Sequence, residues 1–342
     1  MGAGTFEAKF APLSKTESIN KIYVLRKNKA KEIENLEYII LPKICILRLF
    51  YVLITPLLLA HYAKKYNAKY ILAYHIIPHA FFAFIASKIT GIPYIVGQTG
   101  LYVQKLSNKF IYGNLICSIL KKAKWLNVPG SFSKNHWINK GLLPQKINLL
   151  HSTINTDIFV NTHNNKEYDF IYLGRLAWEK NIEIIIDAFK TISSEIHNPK
   201  LVIVGNGPEK KKLEEYVKIN SLENRVVFAG FQKDVTHWLN KARFFVMASV
   251  TEAMPTALMQ AMSCELICIS SNVGNITDLL EHNKNGFLFE SGNQSELSDI
   301  MSYCISNTES ISKIGTQARE DVILNHSYHT AIKKWDELFK NA

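Results

Sequence analysis

The sequence predicts an α/β protein with two doubly wound parallel-sheet domains in tandem. Its 342 residues are about twice a typical domain. Short apolar runs rich in β-branched residues alternate with longer amphipathic stretches, and this alternation restarts after a polar stretch at 161–167. We therefore expect one domain over 1–160 and a second over 161–325. A last helix within 326–342 has no strand after it and is expected to brace the two domains.

Twelve short apolar runs are predicted strands. Six lie in the first domain, at 22–25, 38–41, 70–74, 94–96, 125–128 and 147–150, and six in the second, at 170–173, 201–204, 226–229, 244–247, 266–270 and 286–289. A glycine-rich turn normally follows the opening strand of such a sheet, but here no strand is predicted before residue 22. We expect the first domain to lack its opening strand, unless the true start lies upstream or this half is built differently.

Composition excludes several classes of protein. Apolar residues make up 47% and charged residues 20%, which is typical of a globular chain with a sizeable core. The five cysteines are odd in number and scattered, which argues against a disulfide framework and a zinc module and favours a reduced cytosol. Residues 1–7 lack the basic and apolar segments of a signal peptide.

Charge is unevenly distributed along the chain. Residues 1–160 carry 21 Lys and Arg against 6 Asp and Glu, whereas residues 161–342 carry 19 against 23. A basic half predicts an anionic partner, either a membrane surface or nucleic acid, unless the basic surface has no partner at all. Because no base-reading motif or finger appears, we favour an anionic membrane surface and exclude nucleic acid.

One apolar run, residues 44–60 (ICILRLFYVLITPLLLA), requires its own interpretation. It contains Arg48 and Pro56 and is shorter than the about 20 clean residues that span a bilayer. We interpret it as a core or groove-lining helix, with interfacial membrane contact and a true span as alternatives.

The segment YLGRLAWEKN at 172–181 carries the first candidate site. A predicted strand ends at Gly174, and Arg175 and Lys180 lie in the loop that leads to a helix. Two cations beside a helix start can bind a diphosphate, because the helix terminus adds partial positive charge. The alternative is that both are ordinary surface cations.

The segment TEAMPTALMQAM at 251–262 carries the second candidate site. Glu252 follows a predicted strand, and a helix begins near Thr256 with Gln260 about one turn inside it. A carboxylate in such a position can bind sugar hydroxyls, and the helix start can hold phosphate. The alternative is a helix cap followed by core packing.

Two further turns follow predicted strands. VGNGPE at 204–209 and SSNVGNI at 270–276 each place glycine after a strand, on the side of the sheet where ligands bind in α/β proteins. Either turn alone is weak support for a site.

Taken in order, GRLxxEKN, VGNGPE, VVFAGF, EAMPTALMQAM, SSNVGNITDLL and NGFLF resemble the donor half of the family-four retaining glycosyltransferases. The resemblance covers about 160 to 310 and is looser in the first half, where HIIPHAFFAFIASKITGIPYIV is similar to a helix–strand segment. It implies the GT-B fold, in which two Rossmann-like domains face a cleft.

The resemblance implies a role for each matching residue. Arg175 and Lys180 would hold the donor diphosphate, and Glu252 would contact the transferred sugar; these three are the expected catalytic residues. Gln260 stands where the family's second glutamate binds the ribose, and an amide there loses charge-assisted strength. The expected donor-binding set also contains Gly174, Gly205, Gly207, Pro255, Thr256 and Ala257.

The first half departs from the family pattern near the reacting centre. Thr99 stands where the family often has a histidine, and a hydroxyl cannot serve as an acid or base near pH 7. We interpret this as a variant active site. His75 and His79 are expected to be packing or loop residues, with replacement catalysts as the alternative. Gly2 and Gly4 resemble the acceptor-domain glycine loop, so they and Thr99 form the expected acceptor side.

The resemblance implies a retaining transferase that moves a sugar from a nucleotide-sugar donor to a saccharide or lipid-linked saccharide, in cell-surface polysaccharide or glycolipid synthesis. We expect a cytoplasmic enzyme bound peripherally to the inner face of the plasma membrane. No Asp-x-Asp occurs in the chain, so neither a metal ion nor another cofactor is expected. Two alternatives remain: a non-catalytic relative that binds a nucleotide sugar or a partner enzyme, and another two-domain sugar enzyme such as an epimerase or phosphorylase.

Overall fold

The computed structural model describes residues 3–162 and 165–341, which divide into two compact units. Unit 1 contains the described residues up to Ser152 and those from Tyr328 onward, and unit 2 spans Thr153–Ser327. The division falls before residue 153, whereas the polar stretch placed it after residue 160.

Hydrogen bonds explain why residues 153–160 belong to unit 2. The backbone N–H of Ile154 donates to the carbonyl of His326. The carbonyl of Phe159 accepts from the hydroxyl of Ser263 and from the guanidinium of Arg319. The chain is therefore tied to unit 2 before its polar stretch begins.

Unit 1 contains six strands, which pair in parallel, and six α-helices ahead of the last helix of the chain. The strands are Ile22–Arg26 (β1), Leu36–Ile40 (β2), Ile71–Tyr74 (β3), Tyr94–Gly97 (β4), Trp125–Val128 (β5) and Ile147–Leu149 (β6). The helices are Ala3–Ser14 (α1), Arg48–Lys65 (α2), Phe81–Thr90 (α3), Tyr102–Ser107 (α4), Phe110–Lys122 (α5) and Ser131–Asn139 (α6). The core lies around β4 and β5, whose inward side chains pack against α3, α5 and α6.

The strands of unit 1 form two sheets instead of the single predicted sheet. β1 pairs only with β2, and β3–β4–β5–β6 form a separate parallel sheet. Helix α1 packs against both: the ring of Phe6 lies 6.0 Å from that of Tyr38 in β2, and the ring of Phe10 lies 5.3 Å from that of Tyr74 in β3. Among the described residues, no strand precedes β1.

Helix α2 contains most of the apolar run at 44–60, and only part of it is buried. Thr55, Pro56 and Ala60 pack inward, whereas Leu49, Leu53 and Leu57 are exposed. The three leucines recur every fourth residue and therefore lie on one face of the helix. The expectation of a core helix holds for one face only. Within the described ranges, no helix combines the length and apolar character needed to cross a bilayer.

Unit 2 contains one six-stranded parallel sheet covered by helices. The strands are Tyr168–Leu173 (β7), Leu201–Val204 (β8), Val226–Gly230 (β9), Ala242–Met247 (β10), Ile267–Ser271 (β11) and Phe287–Phe289 (β12). The helices are Ile182–Glu195 (α7), Lys210–Ile219 (α8), Val235–Asn240 (α9), Thr256–Ser263 (α10), Gln294–Ser306 (α11) and Ser312–His326 (α12). Two apolar clusters fill the space on the sheet's faces, and all four residues of β8 are buried.

The strand order of this sheet determines where a ligand can bind. The order is β12–β11–β10–β7–β8–β9, so the direction of winding reverses between β7 and β10. The loops that leave these two strands diverge to opposite faces, which opens a crevice at their carboxyl ends. Residues 174–181 follow β7 and residues 248–255 follow β10, so both candidate segments lie at this switch point.

The last helix, Tyr328–Lys340 (α13), packs within unit 1. Trp335 is buried with Leu13 of α1, and its ring stacks on that of Phe339. Phe339 in turn contacts Tyr70 and Trp125. Aromatic packing therefore ties α13 to unit 1, and its bracing of the two units stays a prediction.

Candidate active site

Lys180 and Glu252 meet at the switch point of the unit 2 sheet. Lys180 Nζ donates to Glu252 Oε1 over 2.5 Å, and the Ser249 hydroxyl donates to the same oxygen over 2.8 Å. The Glu252 side chain is only 10% exposed and that of Lys180 is 23% exposed. A carboxylate so far from water needs a cation and a hydrogen-bond donor, and this one has both.

The loop after β7 gives Lys180 its direction. β7 ends at Leu173, a single 3₁₀ turn covers Trp178–Lys180, and Asn181 adopts a left-handed conformation (φ 48°) before α7 begins. Arg175 lies in the same loop with its side chain exposed to solvent. Within the described part of the chain, the carbonyl of Arg175 accepts from the Tyr172 hydroxyl and from a backbone N–H, and its guanidinium has no hydrogen-bond partner. The loop thus presents one paired cation and one solvated cation.

The burial of the Tyr172 ring shows that the base of this loop is shielded from water. The Tyr172 side chain lies under the loop, and burial raises the pKa of its hydroxyl, with the carboxylates of Glu252 and Glu179 raising it further. Tyr172 therefore stays protonated and donates to the carbonyl of Arg175 at every physiological pH.

The Glu252 loop is held by its neighbours on both sides. The N–H of Val250 donates to the carbonyl of Glu179, which joins it to the Lys180 loop. On the other side the Ser271 hydroxyl donates to the carbonyl of Ser249 over 2.7 Å, and the Asn275 amide donates to that of Ala253 over 2.6 Å. Loops after β7, β10 and β11 therefore form one connected edge.

Two glycines after β8 permit a close approach to the Arg175 loop. A Cβ on Gly205, whose φ is +149°, would lie 1.8 Å from the carbonyl oxygen of Gly174. A Cβ on Gly207 would lie 2.1 Å from that of Leu176. Because neither position has room for a side chain, the loop after β8 can lie against the loop after β7. The carbonyl of Asn206 accepts from the backbone N–H of Leu176, so the loop after β8 is the fourth loop of the same edge.

Helix α10 starts directly behind Glu252. Pro255 is its N-cap and Thr256 its first residue, so the first backbone N–H groups of the helix lie at the same edge of the sheet. Thr256 is exposed, and Ala257 and Gln260 are half-buried. Every donor-side residue predicted from the sequence thus lies in one of the four loops or within α10, where Gln260 is the fifth residue.

The acceptor-side residues lie in unit 1, where Thr99 has an unexpected partner. Its Oγ1 lies 2.7 Å from Nδ1 of His75, which follows the neighbouring strand β3 and has a φ of +73°. Burial, with a smaller effect of His79, lowers the pKa of His75 to about 4, so its imidazole is neutral at pH 7. Gly4 lies in the first turn of α1, and Gly2 lies outside the described residues.

The second histidine has a packing role. The two ring nitrogens of His79 lie 2.5 Å from the carbonyl of Tyr74 and 3.2 Å from the hydroxyl of Tyr51. Burial also lowers the pKa of His79. Both nitrogens are engaged by the fold, as the sequence interpretation expected.

Sequence reasoning missed three residues of this edge. Ser249 and Asn275 support Glu252 and its loop, but a serine or asparagine after a strand gives no signal without the tertiary contact. Trp178 is 70% exposed between the two cations, and only its position within the loop could have singled it out.

Metal ligands are not grouped at this edge. Among residues 3–162 and 165–341, no three His, Cys, Asp or Glu side chains lie close enough together to hold a metal ion. The expected independence from metals and other cofactors stays a prediction.

Comparison with known proteins agrees with this architecture. Residues 153–321 match the family model described as glycosyl transferases group 1. N-acetyl-alpha-D-glucosaminyl L-malate synthase of Bacillus anthracis is 24% identical over 82% of this chain and 77% of its own length. Poly(ribitol-phosphate) alpha-N-acetylglucosaminyltransferase of Staphylococcus aureus is 24% identical over 50% of this chain but only 35% of its own length.

Solved structures show the same fold at low identity. Anabaena Alr3699/HepE, solved with UDP and glucose, superposes with a TM-score of 0.82 over 100% of this chain and 96% of its own, at 17% identity. A glycosyltransferase of Rickettsia africae superposes with a TM-score of 0.80 over 99% and 93% of the two chains, at 19% identity. Together with the family match, they confirm the GT-B fold class and the resemblance to family-four glycosyltransferases, and residues 153–321 are the part of the chain that is similar to the group 1 glycosyl transferases.

Proposed function

We propose that the protein transfers a sugar from a nucleotide-sugar donor to a saccharide or lipid-linked saccharide, with retention of anomeric configuration. The observation that carries this proposal is the Lys180–Glu252 pair at the switch point, with Arg175 on the same loop. Anabaena Alr3699/HepE was solved with UDP-glucose and with UDP, and the Bacillus and Staphylococcus relatives are named for reactions of N-acetylglucosaminyl groups. These names support a nucleotide sugar as donor.

Hydrogen-bonding capacity assigns a role to each member of the pair. An ammonium has three donors, and Lys180 uses one on Glu252, so two are left for a diphosphate. Both hydrogen bonds to the Glu252 carboxylate end on Oε1, so within the described residues Oε2 is left to accept from a sugar hydroxyl. The pair can therefore hold the two halves of a nucleotide sugar on either side of the bond that breaks.

Departure of the nucleoside diphosphate is the step that most needs stabilisation. Its leaving oxygen gains negative charge as the sugar acquires oxocarbenium character. Arg175, Lys180 and the first N–H groups of α10 at Thr256 would oppose that charge without a metal ion. The departing phosphate would take the proton of the acceptor hydroxyl, so that a hydroxyl at position 99 is compatible with turnover.

His75 then serves as a hydrogen-bonding group on the acceptor side. Its imidazole is neutral at pH 7 because its pKa is about 4, so it can orient Thr99 or an acceptor hydroxyl but cannot donate a proton as an acid. The glycine-loop role of Gly4 and Gly2 remains part of the same proposal.

Peripheral attachment to an anionic membrane on its cytoplasmic side is also proposed. The exposed leucines of α2 and the net positive charge of residues 1–160 support it, since apolar side chains on a basic surface favour an anionic lipid interface. Such a location suits a lipid-linked acceptor in the synthesis of a cell-surface polysaccharide or glycolipid.

A thermal-shift screen of UDP-, GDP- and ADP-sugars tests the donor class first. One nucleotide should raise the melting temperature, and its sugar should be transferred, with release of the nucleoside diphosphate only when an acceptor extract is added. Binding without turnover against every acceptor extract would select the non-catalytic relative. Turnover that depends on inorganic phosphate would select a phosphorylase, and no shift with any nucleotide sugar would contradict the proposal.

A further inference from the structure

A basic pocket in unit 1 lies apart from every residue assigned above. It encloses about 550 Å³ beside α5 and is lined by Lys109, Lys121, Lys122 and Lys140 together with Phe110 and Cys117. Residues 110, 113, 114, 117, 118 and 121 follow the i, i+3, i+4, i+7, i+8 and i+11 spacing of one helix face, so one face of α5 forms its wall. Lys140 reaches it from the end of α6.

Two lysines of this pocket, Lys121 and Lys140, lie close together in the fold. Lys121 Nζ lies 3.3 Å from the position that a Cβ on Gly141 would occupy, which places it beside the turn that contains Lys140. Both ammonium groups act on the Cys117 thiol: burial raises its pKa, and Lys121 and Lys140 lower it. At least two cations therefore converge on one wall of the pocket.

In the part of the chain that the structure describes, no acidic side chain pairs with these lysines. None of the four lysines forms a salt bridge with a residue in the described ranges. The sequence explains why: between Glu37 and Asp157 it contains 14 Lys and Arg and not one Asp or Glu. Cations held together without counter-charges produce a positive potential that a bound anion would satisfy.

Large apolar side chains are exposed at the end of α5 where Phe110 lines the same pocket. Phe110 is 85% exposed, Ile111 76% and Tyr112 53%, and they are consecutive residues at the start of α5. Exposed apolar groups on a basic surface are typical of proteins that insert side chains at a bilayer interface. A free phosphate in solution would leave these side chains in water, so the combination favours a lipid.

We propose that this pocket, the α5 lysine pocket, binds the phosphate of an anionic phospholipid headgroup while Phe110 and Ile111 enter the interfacial layer of the bilayer. The inference rests on the membrane attachment proposed above, to which it gives a location, and is independent of the donor sugar. Lys121 and Lys140 would contact the phosphate oxygens, and Phe110 and Ile111 would hold the protein at the depth where that contact forms.

Vesicle flotation with the full chain tests this inference. Vesicles of phosphatidylcholine alone are compared with vesicles that also contain phosphatidylglycerol, and the anionic vesicles should bind at least about tenfold more protein. The double variant Lys121→Ala/Lys140→Ala should weaken that binding by about tenfold or more. Its control is Lys211→Ala/Lys218→Ala, which removes the same charge from the exposed face of α8 and should have little effect.

A second pair of variants tests the apolar part. Phe110→Ser should weaken binding to anionic vesicles by about tenfold, whereas Ile219→Ser, which truncates a side chain that is 73% exposed in unit 2, should not. All four variants should keep the wild-type melting temperature and its increase with the nucleotide identified in the donor screen. A variant that loses vesicle binding but keeps this nucleotide-dependent increase in melting temperature would therefore be impaired at the pocket and not at the donor site.

Four results would overturn the inference. Equal binding to neutral and anionic vesicles would show that the pocket does not recognise an anionic headgroup. An equal loss of binding in the control variant Lys211→Ala/Lys218→Ala would show that only net charge matters. A dimer in solution that Phe110→Ser dissociates, with no vesicle binding, would show that a second copy covers this surface. Full competition by millimolar inorganic phosphate with no vesicle binding would assign the pocket to a free anion.

Discussion

Removal of the Lys180 ammonium is the sharpest perturbation of the candidate site. At 2.5 Å the gross attraction between Lys180 and Glu252 is about 7 kcal/mol with an effective dielectric constant of 20. Desolvation of both groups offsets much of it, which leaves an expected coupling of about 2 kcal/mol. Lys180→Met strands a carboxylate that is only 10% exposed, so its total cost should be about 3 kcal/mol.

A double-mutant cycle measures this coupling. Lys180→Met, Glu252→Gln and the double variant are unfolded by heating and in urea, and the loss of structure is followed by circular dichroism. Lys180→Met should lower the melting temperature by about 6–12 °C, and Glu252→Gln by less because Lys180 can turn to solvent. The double variant should be more stable than the sum of the two losses predicts, by about 2 kcal/mol.

An exposed ion pair in the same unit is the matched control. Lys212 Nζ lies 2.6 Å from Glu183 Oε1, but the two side chains are 65% and 37% exposed. Because both groups are solvated, its cycle should be additive within the error of the measurement. If the Lys180–Glu252 cycle is additive within about 0.5 kcal/mol, or no larger than that of the control, the buried pair is not the organising contact of the site and the reasoning fails.

Three further predictions follow from individual residues. Gly205→Ala should destabilise unit 2 by more than about 2 kcal/mol and weaken nucleotide binding, because its methyl group would clash with Gly174; Gly292→Ala, at a positive φ with open space around it, should cost less and leave binding unchanged, and equal effects would contradict the clash. Gln260→Glu should tighten binding of the nucleotide found in the donor screen by up to about tenfold, since a carboxylate restores a charge-assisted bond to the ribose, and an unchanged dissociation constant would place that residue outside the donor site. Lys9→Met should stabilise the protein at pH 7 by up to about 3 kcal/mol, because burial lowers the pKa of Lys9 from 10.5 to about 8. That penalty is complete below pH 8 and disappears as the pH rises toward 10.5, so thermal unfolding should show a smaller gain at pH 9.5 than at pH 7, and an equal gain would contradict the buried-charge explanation.

Local sequence patterns were sufficient for the strands. All twelve predicted runs overlap an observed strand, because runs such as LVIV at 201–204 are apolar, rich in β-branched residues and bounded by turn residues. The split of the unit 1 strands into two sheets could not be predicted, since it depends on how α1, through Phe6 and Phe10, packs against both. The exposed face of α2 was missed for a related reason: an apolar run does not tell which of its faces finds a partner.

The candidate site was predictable as a set of loops and unpredictable in its contacts. Residues after parallel strands meet at one edge, so the segments of Lys180 and Glu252 were expected on the same edge of the sheet, whereas the adjacency of their strands β7 and β10 comes from the observed strand order. The direct pairing of these two side chains, with Ser249 as a third member, depends on tertiary structure and could not be read from the sequence. The Thr99–His75 hydrogen bond is another, because it joins residues that follow different strands.

Titration calorimetry of nucleotide binding to the Arg175 loop tests the central claim most directly. UDP, GDP and ADP are titrated into the full chain, into Arg175→Ala, and into Arg243→Ala, which removes an exposed arginine at the opposite end of β10. One nucleoside diphosphate should bind the wild type, and Arg175→Ala should weaken it at least about tenfold while Arg243→Ala leaves it unchanged. Undiminished binding to Arg175→Ala, or equal weakening in both variants, would contradict the account.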